Sequence, residues 1–337
     1  YKMDHKNKTL AIISSPFQLL SLGEYIRQYR IDKYEVIILF YKNKELQQMI
    51  EINKIYNLKL SIRLKGFALM QYFQLFFLSL KIKKCSNLII GNFFSDPHLF
   101  FSNLIKKDKI IVVDDGMIVN SIPDFIGTDK RILKVNRLKK TLITLLNVNL
   151  KYPKKIDLYS IFCLKKHKLI SLKKNNLKVL NSQLTIKSHS ETLLIIGQPF
   201  VEHDMLSLDK YIMIIKGIIN DFRNHKLVYF PSRKELPEKL LEIKKIPNLE
   251  IIKTKNNIEL YLLKNKLLPK KIIGFTSSAL ITLNTLFNSK DHLIEIKSFK
   301  IIFNNTRLPK EVISKMYNTI YNNGIHKHEI LTNEFSI

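Results

Sequence analysis

Five stretches place polar, chemistry-bearing side chains directly after apolar runs. In SSPFQ (Ser14 to Gln18), Ser14 or Ser15 suits a helix N-cap and Pro16 the first helical turn, while Gln18 adds an amide able to hydrogen-bond a sugar. DDG (Asp114, Asp115, Gly116) sets two carboxylates side by side, which is costly unless they meet donors, a metal or solvent, and Gly116 permits a tight turn. An Asx turn accounts for that pattern, and so does a general base or a ligand for an acceptor sugar. GQPFVEHD exits its strand sharply at Gly197-Gln198-Pro199 and gathers Glu202, His203 and Asp204 ahead of a helix. The acids can stabilise the helix dipole there, or Glu202 can serve an acceptor hydroxyl as general base. YFPSRKE offers Ser232 as a hydroxyl donor and Arg233 as a planar fork for phosphate or carboxylate, while Ser232 with Glu235 matches a capping box. GFTSSA places Thr276, Ser277 and Ser278 at a helix start, where hydroxyls and free N–H groups can converge on one phosphate.

Such residues act only if the chain brings them together. Short β-branched runs recur: Thr9–Ser15, Tyr34–Phe40, Leu58–Leu64, Asn87–Gly91 and Lys109–Val113, separated by segments with apolar residues at spacings of three and four. Continuous apolar strands alternating with helices predict a parallel sheet covered on both faces, an α/β Rossmann-like domain lacking a GxGxxG fingerprint. From Thr128 to Ser190 the pattern gives way to lysine-rich helices and turns, and residues 165–190 read as a linker. A second set then follows: Thr192–Gly197, Lys226–Pro231, Leu249–Lys253, Lys271–Phe275 and His292–Ile296, with a terminal helix over Glu311–Asn322. The reading is an N-terminal domain over 1–180, a C-terminal domain over 191–310, and a helix and tail over 311–337, an expected GT-B pair of parallel sheets facing an interdomain cleft. Ligands of such sheets sit at the carboxyl ends of the strands, where all five polar stretches fall.

The net charge of +28 favours polyanions of any kind. Against specific nucleic-acid recognition, there is no zinc-finger spacing, RNP-like motif or compact basic arm. A lysine-rich solvated surface and a membrane-surface role both fit the charge. Cys85 and Cys163 form no CxxC and predict neither disulfide framework nor zinc site, which suits a reducing cytoplasm. The polar start YKMDHKNK reads as a disordered lead without a signal-peptide core. FALMQYFQLFFLSL (Phe67 to Leu80) is shorter than the ~20 residues of a membrane span. It reads as a buried helix, with an interfacial helix behind a lysine collar as the alternative.

Taken in order, SPFQ, DDG, IGQPFVE, YFPSRKE, NNIELYLL and FTSSALITL resemble bacterial sialyltransferases of glycosyltransferase family 52, the lipooligosaccharide and capsule enzymes. The resemblance spans nearly the whole chain. It implies a GT-B fold and inverting transfer of sialic acid from CMP-sialic acid to a glycan, usually galactose-terminated, with no cofactor and no obligatory metal. It places Ser277 and Ser278 at the CMP phosphate and Glu259 at the ribose hydroxyls, although a helical Glu259 also reads as surface charge. The family's base follows the GxP turn, where this chain has Phe200, with Glu202 the nearest carboxylate; related families assign the base to the DDG motif, which keeps Asp114 and Asp115 in contention. Where the family carries a histidine that contacts and protonates the leaving phosphate, this chain has Ser232, which donates a hydrogen bond but no proton near neutral pH. Catalysis then relies on Arg233 and the Ser277/Ser278 helix end, or the chain is impaired, as by an engineered substitution. The set of substrate-binding candidates is Ser15, Gln18, Gly197, Gln198, Arg233, Glu259, Thr276, Ser277 and Ser278. The expected setting is the cytoplasm, peripheral to the inner membrane on an anionic surface, with a homodimer as an assembly to test. The competing readings are a GT-B enzyme for another nucleotide sugar and a non-enzymatic basic polyanion binder.

Overall fold

A computed structural model describes residues 8–128, 130, 141, 143–146, 148, 150–184, 188–254, 256–265, 267–288, 294–301 and 309–328. The first seven residues of the polar lead and the tail beyond residue 328 lie outside them. The chain divides into two units, Tyr1–Leu180 and Asn181–Ile337.

The first unit is built on β1 (Thr9–Ile13), α1 (Pro16–Gln28), β2 (Tyr34–Phe40), α2 (Asn43–Tyr56), β3 (Ile62–Lys65), α3 (Ala68–Lys81), β4 (Lys84–Ile90), α4 (Asp96–Leu104) and β5 (Lys106–Val113). A 3-10 turn (Ile118–Ser121), α5 (Ile122–Phe125), β6 (Ile156–Ser160), β7 (Ile170–Lys174) and α6 (Lys178–Ser182) follow. Its sheet is parallel throughout in the order β3-β2-β1-β4-β5-β6-β7. Every residue of β1 is buried, as a central strand covered on both faces requires. Strand order reverses between β1 and β4, so the connections that leave them diverge, the topological switch point at which open α/β sheets take ligands.

Strands β6 and β7 correct the sequence reading, which saw only helices, turns and a linker there. The reason is Asp157, a carboxylate inside IDLYS that breaks the apolar run. It is tolerated because Lys109 Nζ lies 2.6 Å and Lys173 Nζ 3.2 Å from it, across the neighbouring strands. Strand β3 also starts later than its sequence suggests, because Asn53 bonds both the N–H and the carbonyl of Leu58 and holds the chain at the end of α2.

The buried-helix reading of α3 holds for one face only. Gln71, Tyr72, Leu75 and Ser79 are buried, with Tyr72 edge-on to Phe100 of α4. Met70, Phe73, Phe77 and Leu80 are exposed. No described helix is long and apolar enough to cross a membrane.

The second unit comprises β8 (Ser188–Ile196), α7 (Leu208–Asp221), β9 (Lys226–Phe230), α8 (Pro237–Lys244), β10 (Leu249–Ile251), α9 (Ile258–Lys264), β11 (Leu267–Gly274), α10 (Ser278–Phe287), β12 (Glu295–Phe299), α11 (Lys310–Asn322) and β13 (His326–His328). Its parallel sheet runs β10-β9-β8-β11-β12-β13 and reverses between β8 and β11. Leu193, Ile195, Tyr211, Ile215, Ile218, Tyr229 and Phe275 fill the core beneath that reversal. The sequence reading set the strand before the terminal helix at His292–Ile296; β12 lies later, at Glu295–Phe299, and residues 291–293 fall outside the described set.

Candidate functional site

In the first unit the polar residues converge at the reversal. Ser15 caps α1, its Oγ accepting the Gln18 N–H at 3.3 Å, with Pro16 in the first turn. This turn carries Gln18, which is 1% exposed, back over the sheet end. Gln18 Oε1 accepts the Ser14 N–H at 2.7 Å, and Gln18 Nε2 donates to Asp115 Oδ1 at 2.6 Å. Ser15 Oγ donates to the same oxygen at 3.4 Å, and Asn92 Nδ2 donates to Asp115 Oδ2. Ends of β1, β4 and β5 are thus joined around one half-buried carboxylate.

Three residues that the sequence did not single out complete this arrangement. Gly91 leaves the space Gln18 fills, since a Cβ there would lie 2.2 Å from Gln18 Oε1. Asn92 follows it, and its own N–H donates to His98 Nδ1 at 3.1 Å. His98 is fully buried, and burial pushes its pKa down to about 3, so it stays neutral and its Nδ1 remains the acceptor that holds the Asn92 N–H. The Gly-Asn pair at a strand end in IIGNFF was the available signal.

Asp114 occupies a different environment from its neighbour. It is fully buried, accepting from Ser160 Oγ at 2.5 Å and from the Ile161 N–H at 2.8 Å. Burial raises its pKa to about 7, against the opposing pull of those two hydrogen bonds. Asp114 therefore ties β5 to β6, and Asp115 is the carboxylate with a surface.

In the second unit the reversal is bridged by Gln198. Its Nε2 donates to Thr276 Oγ1 at 3.0 Å and its Oε1 accepts the Thr276 N–H at 3.2 Å, joining the ends of β8 and β11. Thr276 is thereby committed to the frame. Ser277 caps α10, accepting the Ala279 N–H at 3.3 Å, and Ser277 and Ser278 remain half-buried at the helix start. Free N–H groups and the positive end of the helix dipole gather at that point.

A buried network holds the Gln198 loop. Gln198 N–H donates to Tyr211 Oη at 3.2 Å, Tyr211 and Tyr229 share a 2.8 Å hydroxyl bond, and Tyr229 donates to Glu235 Oε1 at 2.6 Å. Because Tyr229 gives its proton to the carboxylate, Tyr211 must be the donor of the pair. Lys239, 2% exposed, donates to the Gln198 carbonyl and to Glu235 Oε1, both at 2.7 Å, and sits over the Tyr211 ring. Gly197 is required by space here: a Cβ would lie 2.5 Å from Tyr229 Oη and 2.6 Å from Glu235 Oε2.

Two local readings of the sequence change as a result. Glu235 Oε2 does reach back to the Ser232 N–H at 2.7 Å, as in a capping box, but α8 begins only at Pro237, so Ser232 and Arg233 belong to a loop. Glu202 does not serve the dipole of α7, which starts later under a Ser207 cap. Its Oε1 accepts the Leu236 N–H at 2.9 Å and its Oε2 lies 3.6 Å from Lys239 Nζ. Glu202 thus pins the Ser232–Leu236 loop. His203 lies exposed on the turn beside it.

Glu259 is buried in the first turn of α9, which overturns its reading as surface charge. Burial raises its pKa, and its own N–H and the positive charge of Arg233 pull the other way. Arg233 itself is exposed. Helix α9 packs against α10, so the acid lies in the helix pair whose second member starts at Ser278. Among the described residues no group of three His, Cys, Asp or Glu side chains is placed to hold a metal ion.

Among solved structures, the chain is similar to a putative UDP-N-acetylglucosamine 2-epimerase from Listeria monocytogenes (TM-score 0.58, 9% identity, 94% of this chain and 88% of that one). It is similar also to UDP-GlcNAc 2-epimerase from Neisseria meningitidis bound to UDP-GlcNAc (TM-score 0.57, 10% identity, 95% of each chain). At such identities the likeness is one of fold, the GT-B-like pair of parallel α/β sheets. No curated protein sequence matches the chain. Residues 9–294 match the family Alpha-2,8-polysialyltransferase (POLYST), a stretch that takes in both sheet reversals. The resemblance to sialyltransferases therefore holds, although the family matched is not glycosyltransferase family 52, and the non-enzymatic reading falls away. The chain belongs to the alpha-2,8-polysialyltransferase family, and with it to the sialyltransferase enzymes.

Proposed function

We propose that this enzyme transfers sialic acid from CMP-sialic acid, with inversion, to the terminal sialic acid of a growing surface glycan. The acceptor so proposed is a sialic acid, in place of the galactose expected from the sequence, because the matched family is described by alpha-2,8-linked polysialic chains. The observation that carries the reading is the division of labour between the two sheet reversals: one gathers donors around a single half-buried carboxylate, the other holds hydroxyls and a helix start over a rigid loop.

In this reading Asp115 accepts the proton of the acceptor hydroxyl as its oxygen bonds to the anomeric carbon of the donor. The bond from that carbon to the phosphate oxygen breaks, and CMP leaves with the electron pair. Ser277, Ser278, the N–H groups of α10 and Arg233 meet the charge that develops on the phosphate. Glu259 receives the ribose hydroxyls. Ser232 contributes a hydrogen bond, and the departing phosphate, a good leaving group, needs no protein proton. An acceptor carried on lipid would keep the enzyme peripheral to a membrane.

The test is incubation of the full chain with CMP-sialic acid and either a sialylated or a galactose-terminated oligosaccharide, with products read by mass spectrometry. Extension of the sialylated acceptor alone is expected. Transfer only to galactose would overturn the acceptor, and turnover of UDP- or GDP-sugars in place of CMP-sialic acid would overturn the donor. Ser232→His run alongside shows whether an imidazole at this position raises kcat.

A further inference from the structure

Helix α3 turns two unlike faces to its surroundings. One is anchored: Gln71 Nε2 reaches the Phe40 carbonyl at 3.5 Å, Gln74 Nε2 the Lys65 carbonyl at 3.4 Å, and Tyr72 and Leu75 are fully buried. The other is apolar and open to solvent. Phe67 is 87% exposed, Met70 54%, Phe73 47%, Phe77 59% and Leu80 54%. Their spacing of three and four residues puts Met70, Phe73, Phe77 and Leu80 on one stripe, ~15 Å long at the helical rise. A stripe of large apolar side chains that the described residues leave in water asks for an apolar partner.

The charges around the stripe say which one. Exposed Lys65 lies before the helix, exposed Lys81 ends it, and exposed Lys83 and Lys84 follow it. Between Glu51 and Asp96 the sequence contains no acidic residue and seven basic ones, Lys54, Lys59, Arg63, Lys65, Lys81, Lys83 and Lys84. Among the described residues, Lys84 alone of the four flanking lysines has a carboxylate within 4 Å, Asp108 at 3.6 Å, itself exposed. Pairing two copies of the helix would set lysines against lysines across an apolar seam, with no acids to answer them. An anionic bilayer answers both features, since it takes the aromatic stripe into its acyl boundary and meets the lysines with phosphates.

We propose that α3 is the element by which this protein docks on an anionic lipid surface, lying in the plane of the interface with Met70, Phe73, Phe77 and Leu80 inserted. The proposal does not rest on the transfer reaction, because it is read as binding in the absence of any sugar donor. The occupant committed to is the phospholipid bilayer itself.

The chain has no tryptophan, so Phe77→Trp provides a sole reporter on the stripe. With vesicles of phosphatidylcholine containing about one third phosphatidylglycerol, the emission should shift to the blue and the protein should float. Pure phosphatidylcholine vesicles should give much weaker binding. Phe73→Ser with Phe77→Ser, both at exposed positions, should lower the bound fraction about tenfold or more while leaving the thermal midpoint near that of the parent. The inference is overturned by emission that does not move with anionic vesicles, or by flotation that the double serine variant leaves unchanged, which would be adsorption by charge alone. A blue shift that grows with protein concentration before vesicles are added would place a second copy on the stripe and overturn it equally.

Discussion

Gln18 donates to Asp115 Oδ1 across 2.6 Å while its carbonyl oxygen accepts the Ser14 N–H at 2.7 Å, so one uncharged side chain sets the distance between the ends of β1 and β5. Gln18→Glu replaces that donor by a second carboxylate in a buried position. The expected outcome is a loss of about 1–3 kcal/mol in stability and a larger loss in transfer, measured by urea unfolding and product formation. Gly91→Ala should mimic it, because the added Cβ evicts Gln18 Oε1 from its place.

Asp115→Asn keeps the size of the side chain and removes its basicity. Transfer should fall about 100-fold or more with CMP binding retained, as calorimetry of the nucleotide alone would reveal. Unchanged turnover would remove Asp115 from the role of base.

Asp114 predicts a pH effect on stability. Its pKa is raised by burial from 3.8 to about 7, so the folded chain favours the protonated form. That stabilisation is complete below about pH 4 and is lost as the pH rises through 7. Asp114→Asn has no proton to lose. The thermal midpoint of the parent relative to this variant should therefore decline between about pH 4 and pH 7, and a constant difference would contradict the shift.

Lys239 and Glu202 should separate strongly. Lys239→Met leaves Glu235 buried without its cation and removes the donor to the Gln198 carbonyl, for an expected cost of about 3–5 kcal/mol. Glu202→Gln retains an acceptor for the Leu236 N–H and should cost only about 1 kcal/mol, with transfer lowered modestly through the loop. A loss in transfer as deep as that of Asp115→Asn would return Glu202 to contention as the base.

The sequence made the two parallel sheets legible because central strands such as AII and LLII are apolar on both faces and helices separate them. It hid β6, whose Asp157 is paid for by lysines far away in the chain. Strand-end motifs were legible as positions of chemistry, since hydroxyls and carboxylates at five such ends are hard to place in a core. Their division of labour was not. DDG gives no hint that Asp114 turns inward to Ser160 while Asp115 meets Gln18, and Glu259 reads as a helix-surface acid until α9 is seen packed against α10. Gly91 escaped because its value lies in the space a glutamine more than seventy residues earlier needs, and Asn92 because its value lies in a donor for Asp115 on another strand end.

Both sheet reversals are clasped by glutamine, Gln18 in the first unit and Gln198 in the second. A carboxamide donates from its nitrogen and accepts at its oxygen without ever changing charge. Neither glutamine itself changes charge with acidity, although the first clasp ends on a carboxylate, Asp115, and the second on uncharged Thr276, and no swap of glutamine for glutamate keeps both ends of either clasp. A step in the rate against pH would then trace to a carboxylate, Asp115 as the proposed base or the buried Asp114 that ties β5 to β6, and to neither glutamine.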